Sequence, residues 1–478
     1  MRERKTVLLF LLLLLAVFLT YRSSLGNEFV WDDEYKIVHN PHLKTFKSLP
    51  LFFTKSVWQV TSRPVHSDLY RPLFMGSYWI DYQLWGLNSF GFHLTHLTLY
   101  LLNVALLFSL LLIAFGDAWI AFLATGIFSM HPVQSETVNW LGGRSDLLCL
   151  FFLFLTAGIL LRFREGGMNH GRRIGMQVIV ILTYLCALLS KETAVGFLVA
   201  AYFISGWRSV VPLLGSVGIY WGLRSHALGD SYAVLRIVPS LPEFPLSLGV
   251  ITEYIKKFCY PTGLSIANPF EFQPVLAVTI GAILVVTCLL ARRVNGFIPG
   301  ILVFVGFMLP AALFVPRSGI LSDRYLTIPM VGLVIAISAL LKRMPRAFLA
   351  APFLAVLLLS YSTLQQNQSW RTGRSLWSKV IKERPAYFHG YFNYAIYLDR
   401  AGFKKEAAAA YEKALEIDPK NFETLNDLGA VLGDLKLYEK AIDRFREAQA
   451  LRPHDVVSFK NERLAREALK REALQHSR

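Results

Sequence analysis

Long apolar runs separated by short polar stretches dominate the first three quarters of the chain. They lie near Val7–Tyr21, Phe92–Phe115, Ala118–Met130, Asp146–Leu161, Met176–Leu189, Thr193–Trp207, Val210–Leu223, Val275–Ala291, Phe297–Val315, Leu326–Leu341 and Phe348–Tyr361. Each reads as a membrane-crossing helix, several of them shorter than the roughly 20 residues a straight span needs. The stretch Phe244–Pro261 is interrupted by Pro245, Glu253, Lys256 and Lys257, so it reads as an interfacial or re-entrant helix. The pattern predicts an all-α polytopic membrane bundle of about 11 helices over residues 1–362.

The pattern changes beyond Tyr361. Pro385, Pro419 and Pro453 recur every 34 residues, and Ala395/Gly429, Phe403/Leu437, Ala407/Ala441, Tyr411/Phe445 and Ala414/Ala448 hold matching places. Small residues where two helices cross, with aromatics where they pack, define the tetratricopeptide repeat. Residues 363–478 are therefore expected to form a short α-solenoid: a half unit, two full units and a charged capping helix. Such an array either packs as a folded appendage or holds an extended peptide or partner protein.

Composition and charge sharpen this picture. With 54% hydrophobic residues among 478, the chain exceeds the apolar fraction of a soluble domain. The net charge of +16 does not indicate nucleic acid, because the basic residues cluster at the ends of apolar runs. The N-terminal Met-Arg-Glu-Arg-Lys, Arg162/Arg164/Arg172/Arg173, Arg208, Arg292/Arg293 and Lys342/Arg343/Arg346 share one side if the spans alternate, which marks that side as cytoplasmic. The first outer loop (22–91), the loop after Met130, the loop 224–243 and the repeats are then extracytoplasmic. Reading the first run as a cleaved signal peptide leaves this sidedness unchanged. Cys149, Cys186, Cys259 and Cys288 show no paired spacing, and no His/Cys cluster has metal-ligand spacing.

The candidate chemistry lies in that first outer loop, where EFVWDDEYKIV places Asp32, Asp33 and Glu34 together beside the first span. Adjacent carboxylates repel one another, so the cluster needs a reason; an N-cap, a cation clamp or a solvated turn are the bland ones. Arg144, Lys191, Arg224, Arg236, Lys256, Lys257, Arg317 and Arg324 put positive charge on the outer side, where it is disfavoured. A lipid phosphate would compensate them. An acid facing a phosphate held by cations suits transfer of a sugar from a lipid phosphate to an acceptor hydroxyl: the carboxylate takes the proton and the cations stabilise the departing phosphate.

The segments GNEFVWDDEYKIVHNP, YRPLFMGSYWIDYQLWGLNSFGFHLTHLTLYLLN, HPVQSETVNWLGGRSDLLCLFF, SKETAVGF and SDRYLTIP, followed by the repeats, resemble the transmembrane and tetratricopeptide-repeat O-mannosyltransferases and their bacterial relatives, of the GT-C superfamily. The resemblance implies a GT-C bundle with its active site at the outer face, a polyprenyl-phosphate sugar donor, inverting transfer, and catalytic acids at Asp32 and Asp33. The repeat array is shorter than in the eukaryotic members. Arg144, Lys191, Arg324, His93 and His131 are the candidate donor-phosphate contacts, with Glu34, Arg71, Glu136, Asp146 and Glu192 in support. Each has a structural alternative. His93 and His96 can be interfacial anchors, Glu136 can pair with Arg144, Arg144 with Asp146, and Lys191 can snorkel. A divalent ion at Asp32 and Asp33 is left open. The expected function is a membrane glycosyltransferase moving mannose or another hexose to an acceptor protein or glycan, in the inner membrane if the chain is bacterial. A non-catalytic scaffold using its repeats, or a lipid-linked sugar transporter, are the alternatives.

Overall fold

Buried side chains recur every four residues along the first helix, α1 (Arg2–Tyr21): Leu9, Leu13, Val17 and Tyr21 face protein, whereas Leu8, Leu11, Leu12, Leu15 and Leu19 are about half exposed. One sealed stripe with bare leucines opposite suits a helix against hydrocarbon. The computed structural model describes residues 2–62, 68–164, 170–229, 244–266 and 268–476. Contacts divide it into two units, Met1–Arg371 and Thr372–Arg478. The expected boundary after residue 362 falls inside an unbroken helix, Ala350–Asn367.

After α1 the first unit continues with α2 (Leu49–Thr54), α3 (Pro72–Trp85), α4 (Ser89–Phe115), α5 (Ala118–Ser129), α6 (Gln134–Asn139), α7 (Arg144–Arg164) and α8 (His170–Ser190). Then come α9 (Phe197–Ser205), α10 (Trp207–Leu228), α11 (Phe244–Cys259), α12 (Pro274–Ala291), α13 (Phe297–Ser318), α14 (Met330–Leu341) and α15 (Ala350–Asn367). Every one of the apolar runs read from the sequence overlaps one of these helices, and the interrupted stretch forms α11. Among the described residues, 7 helical stretches are long and apolar enough to cross a membrane: Glu3–Gly26, Ser89–Phe115, Leu141–Arg162, Arg173–Ser190, Pro274–Ala291, Phe297–Ser318 and Arg346–Trp370. Ala118–Ser129, Glu192–Ser205 and Met330–Leu341 are apolar but shorter, because polar turns at His131, Lys191 and Asp323–Arg324 cut them off.

Two features position the polar turns. Gly196, at the end of the turn that follows Lys191, lies against Gly306 of α13; a Cβ there would stand 2.6 Å from the Gly306 carbonyl oxygen, so only glycine permits the approach. A two-residue antiparallel bridge, β1 (Asn268–Pro269) with β2 (Ile320–Leu321), fixes the segment leading into Asp323 and Arg324.

The second unit consists of α16 (Gly373–Glu383), α17 (Phe388–Arg400), α18 (Lys404–Ile417), α19 (Phe422–Asp434), α20 (Tyr438–Leu451) and α21 (Val456–His476). Thr372 and Ser375 form a capping box at its first helix. Ala395, Ala407, Tyr411, Ala414, Ala441, Phe445 and Ala448 are buried where the repeat pattern requires, whereas Phe403 and Leu437 stay half exposed beside the bends. The second unit is a tetratricopeptide-repeat array.

Candidate functional site

The acidic loop is anchored by a buried polar network. Asn27 donates to Asn139 Oδ1 (3.2 Å), Asn139 to Asn367 Oδ1 (2.7 Å), and Asn367 to the Thr20 carbonyl (2.9 Å), while Ser135 also donates to Asn367 (2.7 Å). Partnered buried amides of this kind specify one arrangement, because losing any partner strands another. The network ties the exit of α1 to α6 and α15. Beyond it, Glu34–Val38 forms one π-helical turn, with the Tyr35 and Lys36 N–H groups both donating to the Asp32 carbonyl (3.1 and 2.9 Å). Trp31, just before, adopts φ +56°, uncommon for a bulky residue, and stacks on Trp140 at 4.6 Å.

The two aspartates occupy different environments. Asp33 is fully buried; its Oδ2 accepts the Val30 N–H (3.2 Å) and its Oδ1 has no hydrogen-bond partner among the described residues. Burial pushes its carboxyl up to about 8, helped by Asp32 and Glu34 and opposed by Val30 and Lys36, so at neutral pH it is largely protonated. Asp32 is 17% exposed and pairs with Lys36 at 2.8 Å. Lys36 in turn lies 4.7 Å from the Trp58 ring and 5.6 Å from the Trp140 ring. Glu34 turns away to His39 at 3.4 Å.

The same Trp140 ring carries Arg324, whose Cζ is 4.7 Å from its centroid. Arg324 Nη1 donates to Glu136 Oε1 (2.7 Å), and its N–H to Oε2 (3.2 Å), while Ser322 completes the carboxylate at 2.6 Å. Tyr325 bridges onward, its ring 5.2 Å from Arg324 and 5.6 Å from Lys191. Lys191 pairs with Asp146 at 2.6 Å, and Arg71 clamps Glu192 through Nε (3.0 Å) and Nη2 (2.6 Å). One continuous cluster thus joins Asp32 to Arg324, Lys191 and Arg71.

Several expectations are corrected. Neither Glu136–Arg144 nor Arg144–Asp146 forms: Arg144 is 1% exposed and pairs with Asp81, also donating to the Phe92 carbonyl (2.8 Å) and toward His96 Nδ1 (3.5 Å). Five of the outer cations are compensated: Arg144, Lys191, Lys256, Lys257 and Arg324 pair with Asp81, Asp146, Glu253, Asp323 and Glu136, the buried ones because a buried charge requires a partner. Arg224 is buried without a carboxylate partner among the described residues and lies over the Trp221 ring at 5.5 Å. Arg236 lies outside the described residues.

Both ring nitrogens of His131 are engaged, Nε2 with the Phe258 carbonyl (3.0 Å) and Nδ1 accepting from the Val133 N–H (3.3 Å). Burial pushes His131 down to about 4, so it is neutral and structural. His93 and His96 are buried on α4 rather than interfacial. Among the described residues no group of three or more His, Cys, Asp or Glu side chains is disposed to hold a metal ion.

Lys36, Trp140 and Asp81 were not singled out as site residues in the sequence. Asp81 had a signal, as the acid of RPLFMGSYWID, and Trp140 another, as the tryptophan inside HPVQSETVNWLGGRSDLLCLFF; Lys36 had only its spacing of four from Asp32.

These features define a helical membrane-type body with a polar cluster, followed by tetratricopeptide repeats. Models described as tetratricopeptide repeat match residues 388–421 and 410–443. The homologues are protein O-mannosyl-transferases. The human protein O-mannosyl-transferase TMTC1 is 25% identical over 87% of this chain and 56% of its own length, and F38B6.6 of Caenorhabditis elegans 24% over 86% and 62%. Mouse TMTC4 is 30% identical over 37% of this chain and 26% of its own. The chain thus spans about three fifths of the length of the first two. Among solved structures, ArnT from Cupriavidus metallidurans bound to undecaprenyl phosphate aligns with 98% of this chain and 78% of its own, at 14% identity and a TM-score of 0.43.

Proposed function

We propose that this chain is a membrane glycosyltransferase that moves a sugar, mannose or another hexose, from a polyprenyl-phosphate carrier to an acceptor hydroxyl on the extracytoplasmic side. The observation that carries the reading is that Asp32, a partly exposed acid, pairs with a lysine that lies over the same Trp140 ring as Arg324, with Lys191 next to Arg324 through Tyr325 and Arg71 on Glu192. The names of the relatives support the reaction class. Asp32 takes the acceptor proton as the acceptor oxygen bonds to the sugar's anomeric carbon. The bond from that carbon to phosphate breaks on the opposite face, inverting the centre, and the phosphate leaves with the electron pair. Arg324 and Arg71, each partly exposed, stabilise its charge; Lys191, buried with Asp146, sets the local field. Arg144, paired with Asp81, joins α7 to α3.

The outer placement rests on the alternation of basic loops, and the repeats offer a surface for a protein acceptor. One observation favours the scaffold reading instead: every cation of the cluster already has a carboxylate partner. Transfer of radiolabelled mannose from dolichyl-phosphate mannose to a pool of Ser/Thr-containing peptides, by purified wild-type and Asp32→Asn proteins, tests the choice. Transfer by the wild type alone supports the enzyme; transfer by neither, together with unchanged glycans in cells lacking the gene, supports the scaffold.

A further inference from the structure

A lysine buried between two indole rings beside the proposed base is not explained by packing. The Lys36 side chain is 8% exposed, and its backbone is held from both ends: its N–H donates to the Asp32 carbonyl, while its own carbonyl accepts from Asn40 Nδ2 (2.9 Å), which also donates to the Val60 carbonyl (2.9 Å). Burying an ammonium is unfavourable unless its pairing is good. A methionine would fill the slot between Trp58 and Trp140 without that cost. What methionine lacks is a charge aimed at Asp32.

We propose that Lys36 is a positioning residue for Asp32, fixing both the place and the charge of the carboxylate that accepts the proton; this rests on the reading of Asp32 above. Three observations converge. The Lys36–Asp32 contact is a direct 2.8 Å ion pair across one turn. The ammonium cannot swing away, because ring faces hold it at 4.7 and 5.6 Å. The backbone of Asp32 is fixed as well, since the preceding Trp31 is held in its left-handed conformation by the stack on Trp140.

The charges around Asp32 show why the ammonium matters. On its own segment stand Asp33, Glu34 with His39, and Lys36; from α3 comes the Tyr78 hydroxyl; past Trp140 lies the balanced pair Arg324–Glu136. Among the described residues of this set, Lys36 is the cation whose partner is Asp32 itself. Without it Asp32 loses the one opposite charge in direct contact with it, which favours the protonated carboxyl.

Two measurements on the full-length protein test this. The first is esterification of Asp32 by 2-diazoacetamide, which reacts with protonated carboxyls, followed across pH by peptide mass spectrometry in wild type, Lys36→Arg and Lys36→Met. Lys36→Met is expected to move the labelling midpoint of Asp32 upward by about one pH unit or more, whereas Lys36→Arg leaves it near wild type. An unmoved midpoint in Lys36→Met overturns the proposal. If that variant does not fold, Trp58→Leu, which removes one wall of the cage, should give a smaller shift in the same direction, and no shift there overturns it equally. The second is the mannose-transfer assay: Lys36→Met should lose kcat and keep its KM for dolichyl-phosphate mannose, while Lys36→Arg retains most of kcat; equal kcat in wild type and Lys36→Met overturns the proposal. Full activity in Asp32→Asn would instead sink the role of Asp32 itself, whatever the labelling shows for Lys36.

Discussion

Asp32 and Asp33 are neighbours with opposite surroundings, and substituting each should have a different effect. Asp32→Asn removes the proton acceptor and should lower kcat by about 10²- to 10⁴-fold with the fold intact. Asp33→Asn replaces a carboxyl already largely protonated, so it should cost far less; equal losses in steady-state assays would contradict the division of roles. Asp33 also gives the fold a pH dependence. Its carboxyl is raised from 3.8 to about 8, so between those values the folded chain holds a proton that the unfolded chain has lost. Stability should therefore fall as pH rises from about 4 to about 8, and Asp33→Asn should remove that share of the slope in thermal melts. Arg324 calls for a double variant. Arg324→Ala strands Glu136, so it should lower both melting temperature and activity, whereas adding Glu136→Gln should restore stability without restoring transfer. Recovery of both would make the arginine purely structural.

At the scale of elements, the cluster depends on polar turns wedged between apolar helices. The turn carrying Lys191 and Glu192 is seated by the contact of Gly196 with α13, and the turn carrying Asp323 and Arg324 by the β1–β2 bridge. Gly196→Ala cannot be absorbed by a side chain, because the opposing atoms are backbone. Overpacking of this kind costs typically 1–3 kcal/mol, about what a lowered melting temperature in detergent should report. Transfer should fall with it, since Glu192 and Lys191 move with the turn. Helix periodicity in α1 and α4 made the helices themselves readable. The glycine contact was not, because nothing in SKETAVGF says which backbone it meets.

For the whole molecule, the separation at Thr372 predicts that residues 372–478 fold alone, with a cooperative helical melt by circular dichroism; a non-cooperative melt would mean that they need the membrane body. The outer placement of Asp32 and the repeats is checked by single cysteines in the loop 22–91 and on α18, in a background without the four native ones. Both should react with an impermeant thiol reagent in intact cells, and reaction of the α18 site only after lysis would reverse the proposed sidedness.

Sequence alone determined what depends on local periodicity. Runs of leucine and phenylalanine dictate helices that need hydrocarbon, and a 34-residue spacing of proline, alanine and aromatics dictates stacked helical hairpins. It also brought Asp32, Arg71, Glu136, Lys191 and Arg324 into view, since ionisable residues at membrane edges stand out. Partners were another matter. Arg144 meets Asp81 rather than Asp146, and Lys191 meets Asp146, because a buried charge pairs with whichever carboxylate the packing delivers. Sequence distance carries no record of that choice. Tertiary structure alone decided that Asp33 is buried and Asp32 is not, and that Lys36 lies between Trp58 and Trp140. Burial and long-range contact set the charge of each group, and both exist only once the chain has folded.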